Sequence, residues 1–251
     1  MTASRLRRLR GRLAAHLQDR TGTRLRRQLP LSAVAALIAA TRRVAPDRVT
    51  DANPFRVVRV DPRTVERSIL ESAPKRPQWG RVQGGDWDRQ GEPFAERPVP
   101  AAVRQHFVEG VAWERTPLRA HFRAQLERFG NAWGHTSMAG YGTYRDGIEQ
   151  LYDTIASRGY RSQRELADAG DPGAVPVLDE INADIGRDGR LLWRGYGQHR
   201  LAIARVLDVE AVPVLLHRRH RGWQATRDRA RTDPDSLDRD GSHPDLAAIV
   251  D

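Results

Sequence analysis

The pattern of apolar and polar positions predicts a chain that mixes helices with strands. Apolar residues spaced three and four apart, the period of an amphipathic helix, recur in several segments. The predicted helices are 1–28, 30–43, one beginning within 63–69, 98–129 with a break at Trp113, 141–160 closed by Gly159, and 163–167. Short runs of strand-forming residues predict strands at 55–60, 180–186, 191–193 and 212–218.

The stretch from Leu191 to His220, LLWRGYGQHRLAIARVLDVEAVPVLLHRRH, predicts a strand, a glycine turn, an apolar helix and a second strand. Asp188-Gly189 precedes it and predicts a β-hairpin with 180–186. We expect the second strand to end near His217. His217, His220 and the arginines beside them would then form a positively charged rim or lie on the solvated surface. After residue 220 the pattern predicts loop, with one or two helical turns over 244–250.

These elements indicate an α/β domain over 51–251, preceded by a basic helical extension over 1–50. The segment 45–54, APDRVTDANP, has the composition of a linker. Within the domain we expect a helical insertion over about 89–140 and a C-terminal tail over 233–251.

Composition removes several classes of function. The chain has no cysteine, which excludes disulfides, thiolate catalysis and Cys-ligated metal sites. No apolar run approaches the roughly 20 residues of a membrane-spanning helix. No signal-peptide pattern opens the sequence, so we expect a cytoplasmic protein.

The net charge of +10 is concentrated at the start of the sequence. Residues 1–50 hold 12 arginines and two aspartates, whereas the other 201 residues hold 30 basic and 30 acidic side chains. A leucine stripe accompanies this charge, at Leu6, Leu9, Leu13 and Leu17. The segment could place the protein peripherally on an anionic membrane surface, bind a partner protein, or pack on the protein's own body.

The glycine turn before the apolar helix is a candidate anion site. The first amides of a helix have no intrahelical acceptor, and the helix dipole adds a partial positive charge there. Gly195 and Gly197 permit positive φ and close approach of the backbone to a ligand. His199 and Arg200 add side-chain donors. The alternative is a tight turn with no ligand.

A second candidate site follows Gly84-Gly85. Asp86 and Asp88 flank Trp87, and in an extended segment residues two apart point to the same side. Both carboxylates could then hold one Mg²⁺ beside bound phosphates. The alternative is that they cap backbone amides in a turn.

Two segments resemble known boxes of the ParB/sulfiredoxin superfamily. GYGQHRLAIARVLDVEAVPVLL resembles its nucleotide-binding box, which reads G-E-R-R in ParB-like partition proteins and G-C-H-R in sulfiredoxins; Gly197, Gln198, His199 and Arg200 hold those places. LYDTIASRGYRSQREL resembles the upstream ParB box, with Gly159 and Gln163 in place. The resemblance covers roughly residues 148–218.

The resemblance implies a ParB/sulfiredoxin-like mixed sheet that binds a nucleoside triphosphate or diphosphate with Mg²⁺. The implied nucleotide-binding residues are Gly159, Gln163, Gly195, Gly197, Gln198, His199 and Arg200. Gln198 replaces the sulfiredoxin cysteine, which excludes that reaction, and also the ParB glutamate. NTP hydrolysis and phosphoryl transfer of a small-molecule-kinase type are the enzymatic options.

Two other functions stay open at this point. One is a nucleic-acid-binding or nuclease-like protein, although no helix-turn-helix pattern follows residue 220, which argues against sequence-specific DNA recognition. The other is a noncatalytic, membrane-associated accessory protein, since uncharacterised ParB-like proteins of this kind suggest a place in surface-polysaccharide biosynthesis.

Overall fold

A computed structural model describes residues 30–69, 78–233 and 243–250. The predicted helix over 1–28, with its leucine stripe, lies outside the described residues. The chain divides into two compact units. We call residues 96–175 and 199–208 the helical unit, and the remaining described residues the sheet unit.

The sheet unit contains a six-stranded mixed sheet in the described part of the chain. Its strands are β1 (Val57–Val60), β2 (Arg67–Ser68), β3 (Val82–Gln83), β4 (Ile181–Ile185), β5 (Leu191–Trp193) and β6 (Val212–His220). They lie in the order β1-β6-β4-β5-β2, and β3 also pairs with β6. β6 is parallel to β4 and β3 but antiparallel to β1. The predicted α/β class with a mixed sheet is confirmed, and its ParB/sulfiredoxin-like type stays a prediction.

All the described helices except α7 lie where the apolar spacing predicted helix. They are α1 (Leu31–Val44), α2 (Pro98–Phe107), α3 (Leu118–Phe129), α4 (Tyr141–Arg158), α5 (Gln163–Asp168), α6 (Gln198–Val206), α7 (Arg221–Thr232) and α8 (Ala247–Val250). The break at Trp113 is a short 3-10 turn. No described helix is long and apolar enough to cross a bilayer. Helix α1 is part of the predicted extension over 1–50, and it belongs to the sheet unit. Its Arg42 forms an ion pair with Asp228 at 2.9 Å.

The predicted hairpin is confirmed. β4 and β5 pair antiparallel, and the Gly186 amide donates to the Arg190 carbonyl at 2.9 Å across the turn. Gly189 has a φ of +85°, a conformation that side chains with a Cβ rarely adopt.

Two local predictions are wrong. No α-helix begins within 63–69: Pro62–Thr64 is a single 3-10 turn, and the chain then extends into β2, which pairs with β5. The loop predicted after residue 220 is helix α7, whose first turn is capped because the Gly222 amide donates to His220 Nδ1 at 2.9 Å. Pairing with a distant strand and burial of one helix face override the local pattern in these two places.

Candidate functional site: the glycine turn and the polar cluster beside it

The turn between β5 and α6 contains two glycines, and a different physical constraint acts at each position. Gly197 has a φ of +75°, and a Cβ there would come within 2.8 Å of the Ile181 Cα, so only glycine fits against β4. Gly195 has a φ of +138°, yet nothing lies within 4 Å of the position a Cβ would take. Gly197 therefore serves packing, whereas Gly195 gives the turn an open face that a ligand can approach.

Backbone hydrogen bonds fix the turn to strand β4. The Tyr196 carbonyl accepts from Trp193 Nε1 at 2.8 Å and from the Asn182 amide at 3.4 Å. The Arg194 amide donates to the Asn182 carbonyl at 2.9 Å. The turn is thus held in place before any ligand arrives, and Asn182 lies directly beside it.

Helix α6 begins at Gln198, so Gln198, His199 and Arg200 form its first turn. The amides of this turn have no intrahelical acceptor. The helix leaves the sheet unit after Gln198, and His199 and Arg200 belong to the helical unit. Gly195, Gly197 and Gln198 thus belong to the sheet unit.

His199 is engaged with aromatic side chains of the helical unit. Its Nε2 lies 2.7 Å from the Tyr144 hydroxyl, and Trp133 packs edge-on against its ring. Burial lowers the pKa of His199 to about 4, and the charge of Arg200 adds to the shift. Burial also raises the pKa of Tyr144 well above its ordinary value. Both groups are neutral near pH 7, so His199 brings no positive charge to a phosphate.

Gly159 and Gln163, the predicted contributors from the upstream box, have structural roles in the helical unit. Gly159 ends α4 with a φ of +77°. Gln163 is buried, and its Oε1 accepts from the Val175 amide at 3.2 Å. Their role in nucleotide binding stays a prediction.

Asp86 and Asp88 do converge, but on an arginine. Arg187, in the loop of the β4–β5 hairpin, donates through Nη2 to Asp86 at 2.7 Å and to Asp88 at 2.8 Å. Its amide and Nε also donate to Asp88 Oδ2. Burial raises the pKa of Asp88, but hydrogen bonds from Arg187 outweigh this effect and bring it to about 2.

The predicted geometry of this pair was wrong, because residues 86–89 form a turn rather than an extended segment. Among the described residues, no group of three or more histidine, aspartate or glutamate side chains is arranged to hold a metal ion. With Arg187 neutralising them, Asp86 and Asp88 do not fit a resident Mg²⁺.

The main site feature that the sequence did not reveal is a buried polar cluster on one face of the sheet. We call Asn182, Asp184, Arg194, His217 and Arg218 the polar cluster; all are in the sheet unit. Asp184 accepts from Arg194 Nη1 at 3.0 Å and from Arg218 Nε at 3.0 Å. The Arg218 guanidinium stacks over the Trp87 ring at 3.7 Å. The side chains of Asp184 and Arg218 are fully buried.

A β-bulge builds this cluster. The register of β4 against β6 shifts by one residue between Ala183 and Ile185, so two residues of β6, His217 and Arg218, face Asp184 alone. The predicted charged rim is therefore wrong: His217, Arg218, Arg219 and His220 are 5%, 0%, 0% and 8% exposed. The polar run reads as surface in the sequence because the ion-pair partners come from distant segments.

A second group of buried ion pairs, centred on Asp245, has a structural role. Asp245, 1% exposed, accepts from Arg219 Nε and from Trp223 Nε1, both at 2.9 Å. Arg227 binds Asp51 at 3.0 Å and also contacts Asp245. These pairs join α7 and the C-terminal segment to β6.

A cleft of about 380 Å³ opens in the sheet unit, but it contains none of the residues predicted to bind nucleotide. Asp51 holds two of its three arginines, Arg227 and Arg231. We therefore place the candidate site at the glycine turn and not at this cleft. The cleft is lined by Asp51, Ala52, Asn53, Arg56, Arg227, Arg231 and Ile249.

Comparisons with protein-family models, with curated proteins and with solved structures returned no match to this chain.

Proposed function

We propose that the protein binds a nucleoside triphosphate or diphosphate, with its phosphates at the turn Gly195–Gln198. The observation that carries this proposal is the open turn itself: Gly195 has positive φ, free space at its Cβ position, and a helix start immediately after it. The resemblance to the ParB/sulfiredoxin superfamily, noted from the same residues, supports a nucleotide as the source of the phosphates.

The proposal concerns binding. Within the turn, Gln198 is an amide and cannot act as a general base, and the ring of His199 is engaged with Tyr144. Mg²⁺ would arrive with the nucleotide, since this ion binds mainly phosphate and water oxygens with one or two carboxylates.

A panel of nucleotides tests the proposal in a thermal unfolding assay of the full chain. A ligand that binds only the folded state stabilises it by about 2.7 kcal/mol at a concentration 100 times its Kd. We expect at least one ribonucleoside triphosphate to raise the Tm. If none of them, and no diphosphate, shifts the Tm, the protein does not bind a nucleotide here.

Arg200→Ala should weaken triphosphate binding by about 1.5–3 kcal/mol, the range for hydrogen bonds to a charged group. Calorimetric titration measures the change. Tyr144→Phe is the matched control, because it removes the hydroxyl next to His199 without changing the charge at the turn. His199→Ala should reduce affinity less than Arg200→Ala, since the neutral imidazole contributes no charge. Equal affinities of Arg200→Ala and the unmodified protein would contradict the assignment of this turn.

The role of Asp86 and Asp88 in Mg²⁺ binding has a test with two arms. If these carboxylates bind nucleotide-borne Mg²⁺, replacing both by asparagine should abolish the Mg²⁺ dependence of nucleotide affinity. Arg187→Gln should increase that dependence, because it releases both carboxylates from their ion pair. Titrations with and without Mg²⁺ measure the effect. An unchanged Mg²⁺ response in both variants would assign Asp86 and Asp88 to holding Arg187.

A further inference from the structure

Several buried polar atoms of the sheet unit have no hydrogen-bond partner in the described part of the chain. Four of them are His217 Nδ1, His217 Nε2, Asn182 Oδ1 and Trp79 Nε1. His217 and Asn182 are 5% and 4% exposed. A buried polar group without a partner costs about 1–3 kcal/mol, so a concentration of them in one place indicates a bound molecule.

These atoms lie near one another on the face of the sheet that carries the polar cluster. Asn182 pairs in register with Leu215, and His217 lies two residues further along β6, on the same face. The ring of Trp79 lies 6.2 Å from the ring of His217, centroid to centroid. The main-chain amide of Asn182 donates to the Tyr196 carbonyl in the glycine turn. The backbone of Asn182 therefore lies next to the turn at which we propose that phosphate binds.

The chemistry of these atoms suits an uncharged, hydroxyl-bearing group. Burial lowers the pKa of His217 to about 4, with Arg194 acting in the same direction and Asp184 opposing it. The neutral imidazole offers one donor and one acceptor, Asn182 Oδ1 offers an acceptor and Trp79 Nε1 a donor. A sugar hydroxyl both donates and accepts, so it can pair with each of them. The arginines of the polar cluster, in contrast, already bind Asp184.

We propose that Asn182, His217 and Trp79 form the subsite for the sugar of the nucleotide, whose hydroxyl groups pair with these atoms. This inference rests on the proposed function, since the phosphates at the turn bring the sugar to Asn182. Asn182 and His217, which the sequence pattern assigned only to strands, would then contact the ligand.

Calorimetric titration of the full chain with a ribonucleoside triphosphate, its 2′,3′-dideoxy analogue and inorganic triphosphate tests the subsite. The ribonucleotide is the one that gives the largest Tm shift among ATP, CTP, GTP and UTP. We expect His217→Leu and Asn182→Ala each to weaken the ribonucleotide about tenfold, the effect of one lost hydrogen bond, and to leave inorganic triphosphate within about twofold. The unmodified protein should prefer the ribonucleotide to the dideoxy analogue, and His217→Leu should lose most of that preference.

His243→Leu is the matched control. His243 is a half-buried histidine of the sheet unit, but its Nε2 contacts the Gly189 carbonyl and its Nδ1 accepts from the Asp245 amide. It should leave the ratio of the ribonucleotide and triphosphate affinities unchanged. The Tm of unliganded His217→Leu should stay at or above that of the unmodified protein, because the substitution removes no hydrogen bond.

The outcomes separate the two proposals. If the unmodified protein binds the ribonucleotide and His217→Leu and Asn182→Ala bind it equally well, ordered water fills the subsite and the inference is wrong. Equal weakening of the ribonucleotide and inorganic triphosphate would also overturn it. If the unmodified protein binds neither ligand, the proposed function fails, and the sugar subsite fails with it.

Discussion

Replacing Asp184 by alanine should lower the free energy of unfolding by about 3–5 kcal/mol, because it removes a buried carboxylate that accepts hydrogen bonds from both Arg194 and Arg218. Asp184 is fully buried, and it is the shared acceptor of Arg194 and Arg218. Arg218 would keep its hydrogen bond to Gln83 and its stacking on Trp87. Equilibrium urea unfolding measures the change.

Asp86→Ala is the control for this prediction. Its carboxylate also binds an arginine, but its side chain is 64% exposed, and exposed pairs contribute about 0–1 kcal/mol. We expect a small loss. An Asp184→Ala variant that unfolds at the same urea concentration as Asp86→Ala would show that the buried pairs of the polar cluster are not needed for stability.

Stability should fall between pH 6.5 and pH 4, and His199 and His217 should each contribute up to about 3 kcal/mol to this loss. Burial lowers the pKa of both His199 and His217 to about 4, against 6.5 in the unfolded chain. Within this window the unfolded chain binds protons that the folded chain does not, so acidification favours unfolding. Urea unfolding at a series of pH values measures the slope.

His217→Leu should flatten this slope, because it removes one of the histidines whose pKa is lower in the folded than in the unfolded chain. Asp51 and Asp245 act at lower pH. Burial raises the pKa of each, but arginine partners outweigh burial and hold both pKa values below the usual range. Their stabilising contribution is complete above about pH 4 and is lost as the pH falls below it. A pH slope above pH 4 that is identical in His217→Leu and in the unmodified protein would contradict the assignment for His217.

Those helices and turns that depend on neighbouring residues alone could be predicted from the sequence. Helix α4 and its end at Gly159, the β4–β5 hairpin around Gly189 and the turn before α6 all lie where the pattern predicted. In these three places the apolar spacing and the glycine at the turn are causes that lie within the segment itself.

The contacts between polar side chains could not be predicted from the sequence and are seen only in the folded structure. The polar run at the end of β6 is buried because a bulge turns both His217 and Arg218 toward Asp184. Asp86 and Asp88 face each other because Arg187, from a distant hairpin, lies between them. Strand register and ion pairing join residues far apart in the sequence, so no local pattern contains them. The turn at Gly195 was therefore predictable, but the buried histidine and asparagine beside it were not.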